Sequence, residues 1–550
     1  MASLSPPALS TTTFRPSSSL RTSKYLPNNG TRILCSAANG NIDRRDVLIG
    51  IGAGGLYGAS AFALGAPVQT PNISKCGPPD LPPGTDPTNC CPPPSPSILD
   101  FRPPAPGKLR VRPAAHLVDQ SYIEKYKRAV ELMKGLPEDD PRSFMQQANV
   151  HCAYCNGGYD QVGFPVEVQV HNSWLFFPFH RYYLYFYEKI LGELIGDPTF
   201  ALPFWNYDAP EGMRMPAMYA DQNSSLYDQL RNQNHLPPTL IDLDFDGVDS
   251  NIGNNAQIRT NLRIMYRQMV SNSRTPKLFF GSPYVAGDEP SPGGGSVENI
   301  PHNTVHTWCG DTKKPNLENM GNFYSAARDP IFYSHHSNVD RMWSVWKTLG
   351  GKRQDLEYPE WLNASFIFYN EKAQAVRVRV RDCLDTKKLG YVYQDVELPW
   401  LETRPTPRRA GKAARRPKMK FPVTLKSAIS TEVKRAKKSR SKKEKEEEEE
   451  ILVIEGIKLD PNTLVKFDIY INDEDEKDNR GDITEFAGSF VNVPHKHGHK
   501  KKVKTGLRLG ITEVLEDLGA DGDDSIIVTL VPRLGAGLVS IAGIKIEYGD

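Results

Sequence analysis

Acidic residues are absent from positions 1–42, where Ser and Thr abound and Arg15, Arg21, Lys24 and Arg32 supply scattered positive charge. That composition is expected of a chloroplast transit peptide, an address that is removed. Long apolar runs are also lacking, with one exception. Residues 47–64 are rich in Gly and Ala, follow the pair Arg44-Arg45 and close on the small-residue site Ala63-Leu64-Gly65. Residues 43–65 therefore read as a twin-arginine signal for the thylakoid lumen, the mature chain should begin near Ala66, and no integral membrane span is expected in it. Net charge of one sign is missing too: 67 Lys and Arg stand against 65 Asp and Glu, a balance of +2 that gives no reason to expect nucleic acid. No internal repeat marks a solenoid or an array. At 550 residues, with 39% hydrophobic side chains, the chain can build a sizeable core and more than one domain.

Histidine is present in a pattern. His151 (HCAYC), His171 and His180 (HNSWLFFPFHR), His302 and His306 (PHNTVH), and His335 and His336 (YSHHSNVDRMW) fall in a few short, aromatic-rich stretches. A lone buried histidine is usually a hydrogen-bonded core residue, but this many together describe a metal constellation. His302 and His306, at i and i+4 behind Pro301, would project from one helix face at a separation suited to one ion. Neutral imidazole suits zinc, copper, iron or nickel, and no carboxylate or thiolate recurs with the histidines at ligand spacing. The zinc-protease reading fails because Asn303 stands where HExxH needs its glutamate.

Helical periodicity recurs over 122–136, 181–195, 256–270 and 331–349, with Gly- and Pro-marked loops such as 281–301 between. A helical bundle with ligands on facing helices follows, with short strands at 375–380 and 391–396 near its end. The proline-dense segment 67–113 has little propensity of its own and carries Cys76, Cys90 and Cys91. With Cys152 these permit several disulfide connectivities that the sequence leaves open. Cys155 is left beside His151, while Cys309 and Cys383 are expected to be buried thiols. Beyond Trp400 the composition turns charged, and the block at 434–450 (KRAKKSRSKKEKEEEEE) is expected to be solvated, making 401–450 a linker. Residues 451–550 return as short β-type runs, which predict an antiparallel sandwich. His495, His497 and His499 lie among lysines and read as an exposed basic loop.

The histidine stretches resemble the plant polyphenol oxidases, the catechol oxidases and tyrosinases that hold a coupled pair of type 3 copper ions. One signature runs through His171, Phe176, Phe177, Pro178, Phe179, His180, Arg181 and Glu188. The other runs through Asp329, Pro330, Ile331, Phe332, Tyr333, His336 and Asp340. Tyr391-Val392-Tyr393 is similar to the motif that closes the family's catalytic domain. Lys466-Phe467-Asp468 is similar to a motif of its C-terminal domain, with Ile469 in place of the usual valine. The resemblance implies two copper ions, one on His151, His171 and His180 and the other on His302, His306 and His336, with His335 a neighbour rather than a ligand. It also implies disulfides Cys76–Cys91 and Cys90–Cys152, and a thioether from Cys155 to His171. Phe323 would be a gate over the second copper, and Glu298 with Asn303 would order a water near the site. Thr307 is a second candidate for tuning the substrate choice.

The activity so implied is oxidation of o-diphenols by O2 to o-quinones, with monophenol hydroxylation as a possible addition. Residues 66–400 would form the mainly α dicopper catalytic domain, 401–450 a linker cut by an activating protease, and 451–550 a β shielding domain. The stretch 485–494, with Phe490 at a loop tip, would supply the plug. A hemocyanin-like reversible oxygen carrier would use the same copper pair, but the single unit, the plastid targeting and the lack of repeats weigh against it.

Overall fold

The structure is a computed structural model that describes residues 65–105, 107–407, 418–473, 481–495 and 502–549. The leader segments read over 1–42 and 43–65 lie outside the described residues apart from Gly65. The proline-dense arm, which lacks ladder propensity in isolation, borrows its ladders from later strands. Its β1 (Ile98–Asp100) and β2 (Arg110–Arg112) pair in parallel with strands more than 270 residues on. Disulfides join Cys76 to Cys91 and Cys90 to Cys152, as the resemblance implies, and so fasten the arm to the helical core. Cys309 and Cys383 are buried free thiols.

In the core, α1 (Gln120–Lys134) and α2 (Phe144–Cys155) start on side-chain caps, Asp119 accepting from the Tyr122 N–H and Ser143 from the Gln146 N–H. α3 (Phe176–Leu194) is buried almost all round, so it is a central helix rather than an amphipathic surface one. The arm covers its outer side, where Phe101 meets Tyr182, Tyr185 and Phe186 edge-on. There follow α4 (Asn254–Tyr266), prolonged by a π turn over Arg267–Ser271, then α5 (Pro276–Phe280), α6 (Thr304–Cys309), α7 (Ile331–Thr348) and α8 (Pro359–Leu362). Three strands close the helical part: β3 (Ser365–Tyr369), β4 (Ala375–Arg379) and β5 (Tyr391–Tyr393). β4 lies between β1 and β3, while β5 pairs with β2. Periodicity located α1, α3, α4 and α7. It missed α2, whose Gln147, Asn149, His151 and Cys152 are all buried, so polar residues interrupt the apolar stripe.

A buried charge network locks α3 against α7. Arg181 on α3 pairs with Asp340 on α7 at 2.5 Å, and Glu188 on α3 takes Arg112 at 2.8 Å and Arg110 at 2.9 Å from β2. Tyr391 from β5 donates to Asp340 at 2.6 Å, and Tyr393 donates to the same oxygen. Burial alone would raise Asp340, but Arg181, Arg112 and the two phenols hold it below the usual carboxylate range. The tyrosine motif is thus a clasp on the two helices that carry His180 and His336.

The C-terminal part is two antiparallel sheets. β6 (Val423–Thr424), β7 (Ile429–Lys434), the helical turn α9 (Lys442–Glu447), β8 (Glu449–Leu459), β9 (Val465–Ile471) and β10 (Phe486–Asn492) come first. β11 (Val503–Gly510), α10 (Thr512–Asp517), β12 (Ser525–Leu534), β13 (Ser540–Ile541) and β14 (Gly543–Gly549) complete it. One sheet runs β10-β9-β12-β7; the other runs β11-β8-β13-β6 with β14 also on β8. Strand alternation has two uses here. Phe467, Ile469 and Ile471 of β9 fill the sandwich, while Tyr470 joins Phe486, Val491 and Val531 in the core cluster of the helical part. The sandwich therefore packs on the helices through the outer face of its first sheet.

Two expectations need correction. Residues 434–450 are mostly exposed, as expected of a charged block, but they are not a linker: Arg435 is buried with its guanidinium on Glu450 at 2.7 Å and on the carbonyls of Ala520, Asp521 and Asp523. α9 opens on a Ser441–Glu444 capping box, and the β part begins at β6 rather than at residue 451. Charged residues bury when their partners come with the fold, which composition does not reveal. Residues 408–417 lie outside the described residues. Phe490, expected at a loop tip, lies inside β10 and stacks on Phe467 within the sandwich, centroids 5.3 Å apart. No helix among the described residues is long and apolar enough to cross a membrane.

Candidate metal centre

α2 brings His151, the loop before α3 brings His171, and α3 itself brings His180. Opposite them, His302 lies in a π turn (Glu298–Asn303) broken by extended Ile300, His306 in α6 and His336 in α7. All six rings are buried. The helix expected to start at Pro301 starts at Thr304 instead, yet the i, i+4 relation survives, with the Nε2 atoms of His302 and His306 3.1 Å apart.

Five of the six rings are anchored through Nδ1. His151 meets the Phe323 carbonyl at 2.7 Å, His171 the Gln169 side-chain oxygen at 3.2 Å, His180 the Phe176 carbonyl at 2.8 Å, His302 the Asn303 side-chain oxygen at 2.9 Å and His306 the Met320 carbonyl at 2.8 Å. An acceptor at Nδ1 places the proton there and leaves a lone pair on Nε2. The Nε2 atoms of His151, His171 and His180 have no protein partner. That of His306 faces His302 at 3.1 Å and His336 at 3.2 Å. Burial pushes all six far toward the neutral form, and neighbouring imidazoles add to it at every ring except His306; His151 falls to about 3 and His306 to about 4. Nitrogens about 2.0–2.1 Å from one ion in near-tetrahedral arrangement are about 3.3 Å apart, so the observed spacings suit a shared cation. The two groups face each other, His180 stacked on His336 with centroids 4.3 Å apart.

Around them stand the other expected site residues. Phe323 stacks on His171 at 3.9 Å and 20°. Glu298 is buried; one oxygen accepts from the Asn172 N–H at 2.5 Å and the other has no partner, and burial raises the carboxyl to about 8. Asn303 holds His302 with its oxygen and gives its N–H to the Val491 carbonyl of β10 at 2.9 Å. Thr307 is buried on α6, its hydroxyl donating to the Thr304 carbonyl. Cys155 is a buried free thiol, pushed up by burial, whose carbonyl accepts from Gln169; the Gln169 oxygen in turn takes the backbone N–H of His171. Sequence reading missed Gln169, though its place two residues before His171 is a signal.

It also misread His495. This residue is buried, not an exposed basic one, and its ring stacks on Phe323 with centroids 5.2 Å apart. The preceding Pro494 carbonyl accepts the Phe323 N–H at 3.1 Å. Neighbouring lysines pointed to solvent because the helical domain that buries the ring is invisible in the local window. His497 and His499 lie outside the described residues.

Polyphenol oxidase, chloroplastic, of Malus domestica is 58% identical to this chain, with all of both chains covered. This chain belongs to the polyphenol oxidase family. The family model for the common central domain of tyrosinase matches residues 141–349, that for the polyphenol oxidase middle domain 355–406, and that for the chloroplastic polyphenol oxidase C-terminal domain 421–548. The last range starts close to β6, in keeping with the corrected domain start. (+)-Larreatricin hydroxylase, chloroplastic, of Larrea tridentata is 55% identical over 94% of each chain. The structure of latent apple tyrosinase is 64% identical, covers 82% of this chain and 100% of its own, and superposes with a TM-score of 0.80. This polyphenol oxidase therefore shares with latent members of the family both the helical core and the β sandwich laid against it.

Proposed function

We propose that this polyphenol oxidase couples the four-electron reduction of O2 to water to the oxidation of two o-diphenols to o-quinones. In this reading His151, His171 and His180 hold one copper ion, and His302, His306 and His336 hold the other. The observation that carries it is the set of six buried, neutral imidazoles whose Nε2 atoms converge from two facing groups. Such nitrogens lack any other partner, and imidazole is a good donor for copper. When bound, the copper pair supplies the redox couple through which O2 and the diphenol exchange electrons.

The protein's own part is orientation, exclusion and proton handling. The Nδ1 anchors fix five of the six rings before a ligand arrives, and Phe323, lying flat on His171, shapes the approach as a gate. Glu298, with a free oxygen and a carboxyl near neutrality, can take a phenol proton, directly or through a water held with Asn303. In this reading Cys155, a buried free thiol, forms a thioether to His171, losing the S–H and a ring C–H hydrogen while O2 takes the two electrons. A tryptic peptide pair joined at two hydrogens below the summed mass would report it.

The sandwich keeps the enzyme latent. His495 rests on Phe323, and the backbone at Val491 and Pro494 engages Asn303 and Phe323, so the route past the gate is filled. Cleavage within 401–450 by an activating protease then frees the site. The leaders at 1–42 and 43–65 would deliver the chain to the chloroplast thylakoid lumen. The test is copper analysis with oxygen uptake on 4-methylcatechol, and on tyramine beside dopamine to learn whether monophenols are taken. His180→Ala or His336→Ala should empty one position and abolish turnover. Full copper and normal turnover in either variant would refute the assignment, and oxygen binding without quinone would favour a carrier.

A further inference from the structure

The two histidine groups are not equivalent. The first contains His151, His171 and His180; the second contains His302, His306 and His336 and, in addition, His335. Within the second group, one ligand nitrogen from each of the four rings lies within 4.8 Å of all the others. His335 precedes His336 on α7, so the helix turns it about 100° away and lays it beside the trio rather than opposite. Its ring is nearly parallel to His302 at 5.3 Å and meets His306 edge-on at 5.0 Å.

Packing by itself does not account for an imidazole there. His335 is fully buried, and it leans toward the His302 carbonyl without either ring nitrogen reaching hydrogen-bonding geometry. A buried polar group left without a partner disfavours folding, and such groups in native proteins commonly mark a function. An aromatic hydrocarbon ring would fill the same slot between Tyr207 and His302 without that penalty. What an imidazole adds is a lone pair, within a small ring movement of the place where three others converge.

We propose that His335 is a reserve ligand of the second metal position: it binds the ion when one of the three regular donors is displaced, and so slows escape of that ion. The first position, with three histidines, has no such reserve among the described residues. This inference rests on the dicopper reading, and metal counting separates the two. Four full-length proteins are compared by copper per chain and by the rate at which bicinchoninate strips the second ion: wild type, His335→Phe, His302→Ala and His302→Ala/His335→Phe. Retained copper at the first position and an unchanged circular dichroism spectrum serve as controls for folding. Should His302→Ala fail to fold, His306→Ala takes its place.

Wild type and His335→Phe should both hold two ions, with the second stripped about tenfold faster from His335→Phe, the scale of effect for a residue supporting a metal site. His302→Ala should keep most of its second ion and the double variant should lose it. A His302→Ala protein that is folded but holds one ion, with His335→Phe stripped at the wild-type rate, would overturn the proposal and leave the dicopper reading standing. Wild-type protein without copper would overturn both.

Discussion

At the scale of residues, the sharpest consequence concerns Glu298. Its carboxyl is raised to about 8 by burial, opposed only in part by the backbone N–H groups of Asn172 and Gly295. A carboxyl whose folded pKa exceeds its ordinary value lets the native state hold a proton that the unfolded chain has released. The folded state is therefore progressively disfavoured as pH rises from about 4.5 to about 8. Glu298→Gln removes that dependence while keeping the acceptor for Asn172. In copper-free protein, the melting temperature of the Gln variant should gain on wild type as pH is raised from 5 to 8.5, the final difference corresponding to a few kcal/mol. Parallel melting curves across that range would mean the carboxyl is already ionised, and would remove it as a proton acceptor poised near neutrality.

At the scale of elements, two contacts decide how the site is held and closed. The α3–α7 clasp rests on Asp340, which answers Arg181 and Arg112 together. Asp340→Asn leaves buried Arg181 without its carboxylate partner and Arg112 with Glu188 alone, and should cost about 3–5 kcal/mol in urea unfolding. A loss below about 1 kcal/mol would show that the tyrosine hydroxyls and Glu188 suffice. The closing element is β10 with the turn after it. Since His495 covers Phe323 while the neighbouring carbonyls hold the segment down, His495→Ala should open a gap without undocking the sandwich. Full-length His495→Ala should then oxidise 4-methylcatechol several-fold faster than the uncut wild type, with copper content unchanged. Equal rates would place the block elsewhere along β10.

At the scale of the whole molecule, latency depends on what docks the sandwich, and the docking surface mixes carboxyls of opposite bias. Lys466 of β9 lies 2.8 Å from Asp244 of the helical domain and 2.7 Å from Asp468 on its own strand. Burial would raise Asp468, but Lys466 and Arg533 of the sandwich itself hold it below the usual range, so its support for the sandwich that presents Lys466 is full above about pH 4 and fades in stronger acid. Asp244 behaves in the reverse way. Burial lifts it to about 7 against the pull of Lys466, and Glu449 beside Arg274 is lifted likewise to about 7. Docking takes up protons at these two groups, so lowering the pH from about 7 to about 5 should tighten the contact. Acid activation of the uncut enzyme should begin below about pH 4 and be absent between 7 and 5. Pre-incubation over a pH series, followed by assay at one fixed pH, checks this; release already complete at pH 5 would contradict it.

Much of the site was legible along the chain because metal ligation writes short, local patterns. His302 with His306, and His171 with His180 and the aromatic run between them, carry spacing that survives even where a helix starts three residues later than expected. The β-type run of β9 likewise foretold a strand, but not that Lys466 and Asp468 on its second face would be buried too. Tertiary structure alone decided which charges are buried and what covers the gate. Arg435 reads as part of a solvated block until Glu450 and three carbonyls of the β10-bearing domain surround it, and Arg112 meets Tyr393 across 281 residues of chain. His495 among lysines looks like a surface loop until the helical domain closes over it. The physical reason is common to all three: a ligand pattern is fixed by covalent spacing, whereas the cost of burying a polar group is set by partners that only the folded chain brings within reach.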